Sequence, residues 1–382
     1  MHIDSLVYAD TKKSYKPAPV TQLCKRVRFR QSECRECVDI CPTEAISLTY
    51  GPVIGDNCIN CGLCQIACPT ETFEGEFNTD VMLKEYLQSE HAITDGNLYV
   101  HCSEAQPHTK TSFGIRCAGN ITENGMLAAT KYNVKQLRLS TGDCKQCRLY
   151  KGMQLFQQAV NTYKHLARSV CNEILDIKTR AKPKPAQAET AAVSRRVFFK
   201  TISDSVVKHA AQGIVEKERA IHELLYGGQR QTDNKRVSPR RAALRQLLGE
   251  IKQRGDTGTA SAPLPWKAMR VDEPKCVGCG ICVTVCPTGA LEKQTDAVQL
   301  TRYINHGLCT NCGLCSEACP HGIIGFERAY TIDDIIDDGR TVVAKVPLNS
   351  CLFCGEIVPV SEGEVCTTCQ KRRLIPLFVK PY

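Results

Sequence analysis

Cysteine spacing constrains this chain more than any other feature. Residues 58–69 read CINCGLCQIACP and residues 309–320 read CTNCGLCSEACP, identical at nine of twelve positions. Residues 276–287, CVGCGICVTVCP, repeat the frame C-x2-C-x2-C-x3-C-P. Residues 34–42, CRECVDICP, carry its last three cysteines and its proline. The four copies fall in two pairs, so the chain is built on a duplicated unit, each unit itself a doublet. Most of the 25 cysteines in these 382 residues sit in Cys-x2-Cys steps. Such steps are poor disulfide geometry and good metal geometry.

The chemistry of the frame follows from its step lengths. The x2 steps wrap three thiolates around one cubic [4Fe–4S] cluster, and the x3 step carries the fourth thiolate to the other cluster of the pair. Gly62, Gly280 and Gly313 let the backbone pass close to the cluster. Pro42, Pro69, Pro287 and Pro320 stop the short helix that precedes them. Zinc is the competing reading, but this frame four times over is not how zinc ribbons are spaced.

On these motifs, residues 24–78 and 270–328 each resemble the bacterial dicluster ferredoxins. The resemblance implies crossed ligand sets. Cys276, Cys279, Cys282 and Cys319 take one [4Fe–4S] cluster, and Cys309, Cys312, Cys315 and Cys286 take its neighbour. In the first unit Cys58, Cys61, Cys64 and Cys41 take one. That leaves Cys34, Cys37 and Cys68 a ligand short, because Arg30-Gln31-Ser32 stands where the family's first cysteine belongs. Cys24, upstream and in the right order, is expected to complete the set. The insert KRVRFRQSE would leave and return as a short ribbon. The alternative is a three-thiolate cluster, with Cys24 an ordinary core cysteine.

Between the pairs, residues 97–150 alternate apolar runs (LYVHC, FGIRC, VKQLRLS) with helix-like stretches such as ENGMLAATKY. This pattern predicts a small α/β segment. Loops at the ends of parallel strands converge, so Cys102, Cys117, Cys144 and Cys147 are expected at one sheet edge. The region distantly resembles iron–sulfur subunits that link hydrogenases to heterodisulfide reductases, which implies a [2Fe–2S] cluster. Zinc and a Cys144/Cys147 redox dithiol remain open. Cys171 reads as a buried thiol without a role. The tail, Cys351-x2-Cys354 and Cys366-x2-Cys369, resembles a zinc ribbon, with rubredoxin-like iron as the alternative.

The remaining features are weaker. Residues 178–194 are rich in Lys, Pro and Ala and read as a linker. Residues 195–226 and 239–254 have helical spacing with many Arg and Lys, the second starting at Ser238 and Pro239. They offer a docking face for an acidic partner or a plain solvated face. Ser194–Lys200 matches a twin-arginine pattern but is internal and reads as a helix start. His101, His108 and His321 are expected beside metal ligands rather than among them. No Gly-rich phosphate loop indicates a nucleotide cofactor.

Net charge is a modest +9. The N-terminus has no signal-peptide pattern, and no apolar run approaches the roughly 18–20 residues of a membrane span. The fold expected is an α+β multidomain chain. Residues 1–80 form a first dicluster module, 95–175 the small α/β domain with the central four cysteines, 176–265 linker and basic helices, 266–345 a second dicluster module, and 346–382 the ribbon-like tail. Four cubic clusters in two pairs make an electron wire, so the chain is expected to be a cytoplasmic electron-transfer subunit of a larger oxidoreductase, with redox partner proteins, no nucleic acid and no membrane insertion. Whether the chain is itself an enzyme stays open. One alternative is an oxidoreductase with its active centre at the central cysteines, and another is a partner-binding scaffold or maturation factor.

Overall fold

Alternation of buried and half-buried residues along Asn97–Cys102 starts the central sheet. It is a half-covered strand, with Leu98 and Val100 turned into the core. In the computed structural model, which describes residues 16–75, 78–171, 173–183, 235–254, 264–329, 331–337 and 339–374, this strand pairs in parallel with Phe113–Ile115 and Gln136–Thr141. Gln136–Thr141 pairs in parallel with Asp176–Ala181, and the short Ile93–Thr94 strand runs antiparallel to Asn97–Cys102. Parallel neighbours need crossovers. Glu123–Lys131 crosses from Phe113–Ile115 to Gln136–Thr141 and Gly152–Val170 from there to Asp176–Ala181, while residues 103–112 join the first two strands without a helix. The second helix buries Phe156, Ala159, Tyr163, Leu166 and Val170, an i, i+3, i+4 stripe laid on the sheet. The sheet therefore runs on to Ala181, into residues whose composition reads as linker.

The helix Pro239–Gln253 starts where the sequence predicts, with the Ser238 side chain accepting from Arg241 N and Pro239 in the first turn. Its destination is different. Leu244, Leu247, Leu248 and Ile251 enter the same core as the central sheet. Arg240 Nη2 pairs with Glu123 at 2.7 Å, and its Nη1 reaches the Ile66 carbonyl. Arg241 stacks on Trp266 with its guanidinium 4.6 Å from the ring centroid. Amphipathic spacing places four leucine/isoleucine positions in the core, so one face of this basic helix is internal packing and the other stays exposed. Residues 195–226 and the Ser194–Lys200 element lie outside the described residues.

The two cysteine-frame units share one plan. In the first, Ala18–Pro19 pairs with Phe73–Glu74 and Ile46–Ser47 with Val53–Ile54, around the short helices Glu36–Ile40 and Leu63–Ala67. In the second, Lys267–Val271 pairs with Ile324–Ala329 around the helices Ile281–Val285 and Leu314–Glu317. The second unit adds a sheet in the order Leu291–Thr295, Gln299–Ile304, Thr341–Ser350, Ile357–Pro359. Thr341–Ser350 pairs with Gln299–Ile304 through one half and with Ile357–Pro359 through the other. The boundary expected at residue 346 thus falls inside a continuous strand, and the tail is tied to the second unit by backbone hydrogen bonds. Among the described residues no helix is long and apolar enough to cross a membrane.

Candidate metal centres

Each short helix of the units follows one frame. Gly62, Gly280 and Gly313 sit just before these helices at φ of 75°, 78° and 77°, a conformation that costs glycine nothing and other residues dearly. The equivalent position in the first frame is Arg35, at φ −133°. That loop therefore takes a different course.

The structure brings Cys24, Cys34, Cys37 and Cys68 together. Burial pushes the Cys37 thiol up to about 12, and Cys68, Cys24 and Cys34 press the same way, as close negative charges must. Burial likewise raises Cys24 and Cys34, each with Cys68 as a further repelling neighbour. The insert before Cys34 is not a ribbon. Residues Lys25–Arg28 form one helical turn behind Cys24.

Cys41, Cys58, Cys61 and Cys64 form the next set. Burial raises the Cys64 thiol, and Cys61, Cys58, Cys37 and Cys41 add to the effect, so Cys37 links this set to the previous one. In the second unit Cys286, Cys309, Cys312 and Cys315 converge. Burial takes Cys309 up to about 12, with Cys286 and Cys312 behind it. Cys315 is raised by burial and by Cys309, Cys312, Cys286 and Cys282, the last belonging to the neighbouring set. Cys276, Cys279 and Cys282 act on one another, and Cys319 packs against the same cluster of buried side chains as Cys276 and Cys282. Cys279 is exposed.

The central cysteines lie where parallel strands end. Cys102 closes its strand, Cys117 follows Phe113–Ile115, and Cys144 and Cys147 follow Gln136–Thr141. All four line one small pocket with Glu104, Arg116 and Gly142. Burial pushes Cys117 up to about 12, with Cys102, Cys147 and Cys144 adding to it. Gly152, the first residue of the long helix, packs directly on Cys117 Sγ, leaving no room for a Cβ. Cys171 is buried at the end of that helix, away from this pocket. His101 sits in the strand that Cys102 closes, and His108 lies beside Tyr99.

In the tail, the sulfurs of Cys351, Cys354, Cys366 and Cys369 all lie within 4.8 Å of one another. The Cys354–Cys366 separation is 3.7 Å. Four sulfurs at about 2.3 Å from one tetrahedral ion stand about 3.8 Å apart, so this set fits a single ion. Backbone N–H groups of Cys366, Cys354 and Phe353 hold the Cys351 thiol down to about 6. Among the described residues no other cysteine set brings three sulfurs that close. Wider cages fit clusters, which spread their ligands over several irons. Every one of these sets is sulfur-only, and soft thiolate donors suit iron–sulfur clusters and zinc alike.

The sets also adjoin one another through space. Asn120 Nδ2 donates to the Cys61 carbonyl, and Cys117 and Cys147 pack with Cys61 and Cys64. Between the two units, Lys25 Nζ donates to the Cys312 carbonyl at 2.8 Å and to Glu317 at 2.5 Å, while Ser32 holds the other Glu317 oxygen. Arg28 donates to the carbonyls of Val285 and Cys286. Phe29 packs on Val285, Leu314 and Ala318. Lys25 and Arg28 are i and i+3 of the helical turn, and Phe29 follows it in an extended conformation. The docking role of this insert has no local sequence signal, since its partners lie in the other unit, at residues 284–318.

A 4Fe–4S dicluster domain model matches residues 275–323, and 4Fe–4S binding domain models match residues 52–74 and 23–44. An uncharacterized ferredoxin of Methanocaldococcus jannaschii is 40% identical over 42 residues, which is 10% of this chain and 68% of that protein.

Proposed function

The chain belongs to the 4Fe–4S ferredoxin family, and from that premise we propose that it is a relay subunit, handing electrons through four cubane clusters between a donor and a catalytic partner protein. It is an iron–sulfur electron-transfer protein with several 4Fe–4S sites. The finer reading assigns one [4Fe–4S] cluster to each of four sets: Cys24/Cys34/Cys37/Cys68, Cys41/Cys58/Cys61/Cys64, Cys286/Cys309/Cys312/Cys315 and Cys276/Cys279/Cys282/Cys319. The match over residues 23–44 takes in Cys24, which supports its place as the fourth ligand of the first set. Thiolate-held clusters of this kind accept and release single electrons.

The observation that carries the reading is contiguity. The central set adjoins Cys61, Cys37 adjoins Cys64, Lys25 spans from the Cys34 side to the Cys312 carbonyl, and Cys282 adjoins Cys315. The sets form a row, and the protein's own work is to hold it. Arg28, Phe29 and Lys25 lock one unit to the other, burial keeps water from the sulfurs, and the exposed Cys279 leaves one end open to a partner. The wider spacing at Cys102/Cys117/Cys144/Cys147 favours a [2Fe–2S] cluster over zinc there, whereas the tail's close set favours one zinc ion with a structural role.

Anaerobic reductive titration tests this. The chain should take up about five electrons, one for each cubane and one for the central cluster. The reduced protein should show spin-resonance signals broadened by neighbouring clusters. Uptake of no electrons overturns the reading.

A further inference from the structure

Arg302 lies in the strand Gln299–Ile304, inside the sheet, with 3% of its surface exposed. Its Nη1 donates to Cys282 Sγ at 3.0 Å. Its Nε and Nη2 are buried and have no hydrogen-bond partner among the described residues. A guanidinium stays protonated and carries five donors, and a buried cation with no counter-charge is strongly unfavourable. Something anionic has to stand beside it, and the neighbouring group is the Cys276/Cys279/Cys282/Cys319 set.

Two further details single out this set. Lys293 is the cross-strand partner of Arg302, and its Nζ lies over Gly280, beside Cys279. In three frames the second residue after the last cysteine is a threonine near the sulfur: Thr43 at 3.8 Å, Thr70 at 3.5 Å and Thr288 at 3.7 Å. The fourth frame has His321 there, and it is exposed. This set has exchanged a neutral hydroxyl neighbour for a buried cation.

We propose that Arg302 is the charge-compensating hydrogen-bond donor of the Cys276/Cys279/Cys282/Cys319 set and raises the reduction potential of the cluster held there. Adding one electron adds one negative charge and moves no proton, and a fixed cation bonded to the ligand sulfur favours the more negative state. The electron comes from the cluster at the adjoining Cys286 set or, in a test, from dithionite. Arg302 is a positioning and tuning residue, and the inference rests on the cubane reading of these four cysteines.

The test is a spin-resonance-monitored redox titration of the full-length, anaerobically purified chain. Cys279→Ala, which removes a ligand of this set, identifies its signal in the parent spectrum. Arg302→Gln should lower the midpoint of that signal alone, with iron and sulfide per chain unchanged, and Arg302→Lys should recover part of the shift. An unchanged midpoint in Arg302→Gln, equal shifts in every signal, or equal shifts in the Gln and Lys variants overturn the proposal. If Arg302→Gln loses iron, Arg302→Lys decides. A retained cluster with a midpoint near the parent's supports a charge role, and iron loss in both refutes it. A parent protein whose Cys279→Ala variant loses no iron would instead overturn the cubane reading beneath.

Discussion

Replacing Lys25 by methionine keeps the length of the side chain and removes its charge. Lys25 is buried, with Nζ 2.8 Å from the Cys312 carbonyl and 2.5 Å from Glu317 Oε1. Removing one partner of a fully buried pair costs roughly 3–5 kcal/mol. Glu317 keeps 39% of its side chain exposed and retains Ser32, so water takes up part of the loss. A cost of about 2–3 kcal/mol follows, weighted toward hydrogen bonds to charged groups. At about 1.4 kcal/mol per factor of ten, the state with the two units separated becomes roughly 30–150 times more populated. Hydrogen exchange read by mass spectrometry on segments 281–286 and 312–318 should speed up by that factor, with the iron content per chain retained. Lys16→Met, which breaks the solvent-exposed Lys16–Asp56 pair, should change nothing there. Unchanged exchange in both segments of Lys25→Met would refute the docking role of the insert.

Cys24→Ala should cost one cubane or convert it to a three-iron form, seen as a fall in iron per chain and a new signal in the oxidised protein. Four unchanged cubanes would return Cys24 to the core. Gly152→Ala drives a Cβ into Cys117 Sγ, so metal should be lost from the central set while the four frames keep theirs, as element analysis reports. Asp80 is a pH probe. Burial pushes its carboxyl up to about 6 against the pull of Thr122 and Arg240. The folded value exceeds the unfolded one, so its contribution is fully present below about pH 4 and lost as pH rises through 6. In denaturant titrations across pH 4–7, Asp80→Asn should flatten this part of the profile, and an unaltered slope counts against the assignment. Cys354→Ser should release the single ion of the tail and leave the iron content intact.

The frames could be read from sequence because their geometry is local. Steps of two residues fix where three thiols point, and the Gly after the second cysteine marks the turn. The central sheet was legible for a related reason: Leu98 and Val100 alternate with polar neighbours, and cysteines after successive parallel strands must gather at one edge. The insert was misread as a ribbon because its polar and apolar residues alternate. The structure instead sets Lys25 and Arg28 on one helical turn with Phe29 just past its end, satisfied by carbonyls and side chains of residues 284–318. No local pattern announces such partners. Arg302 was equally silent, since its meaning comes from burial beside Cys282, twenty residues back in sequence and in a different element. The basic helix Pro239–Gln253 shows composition losing to spacing, its four apolar positions deciding where it lies.

Iron, acid-labile sulfide and zinc counted together on one anaerobic preparation bear on the whole arrangement at once. Four cubanes and a two-iron centre require about eighteen iron and an equal amount of sulfide per chain, beside one zinc in the tail. Zinc in the frames with no sulfide would contradict it.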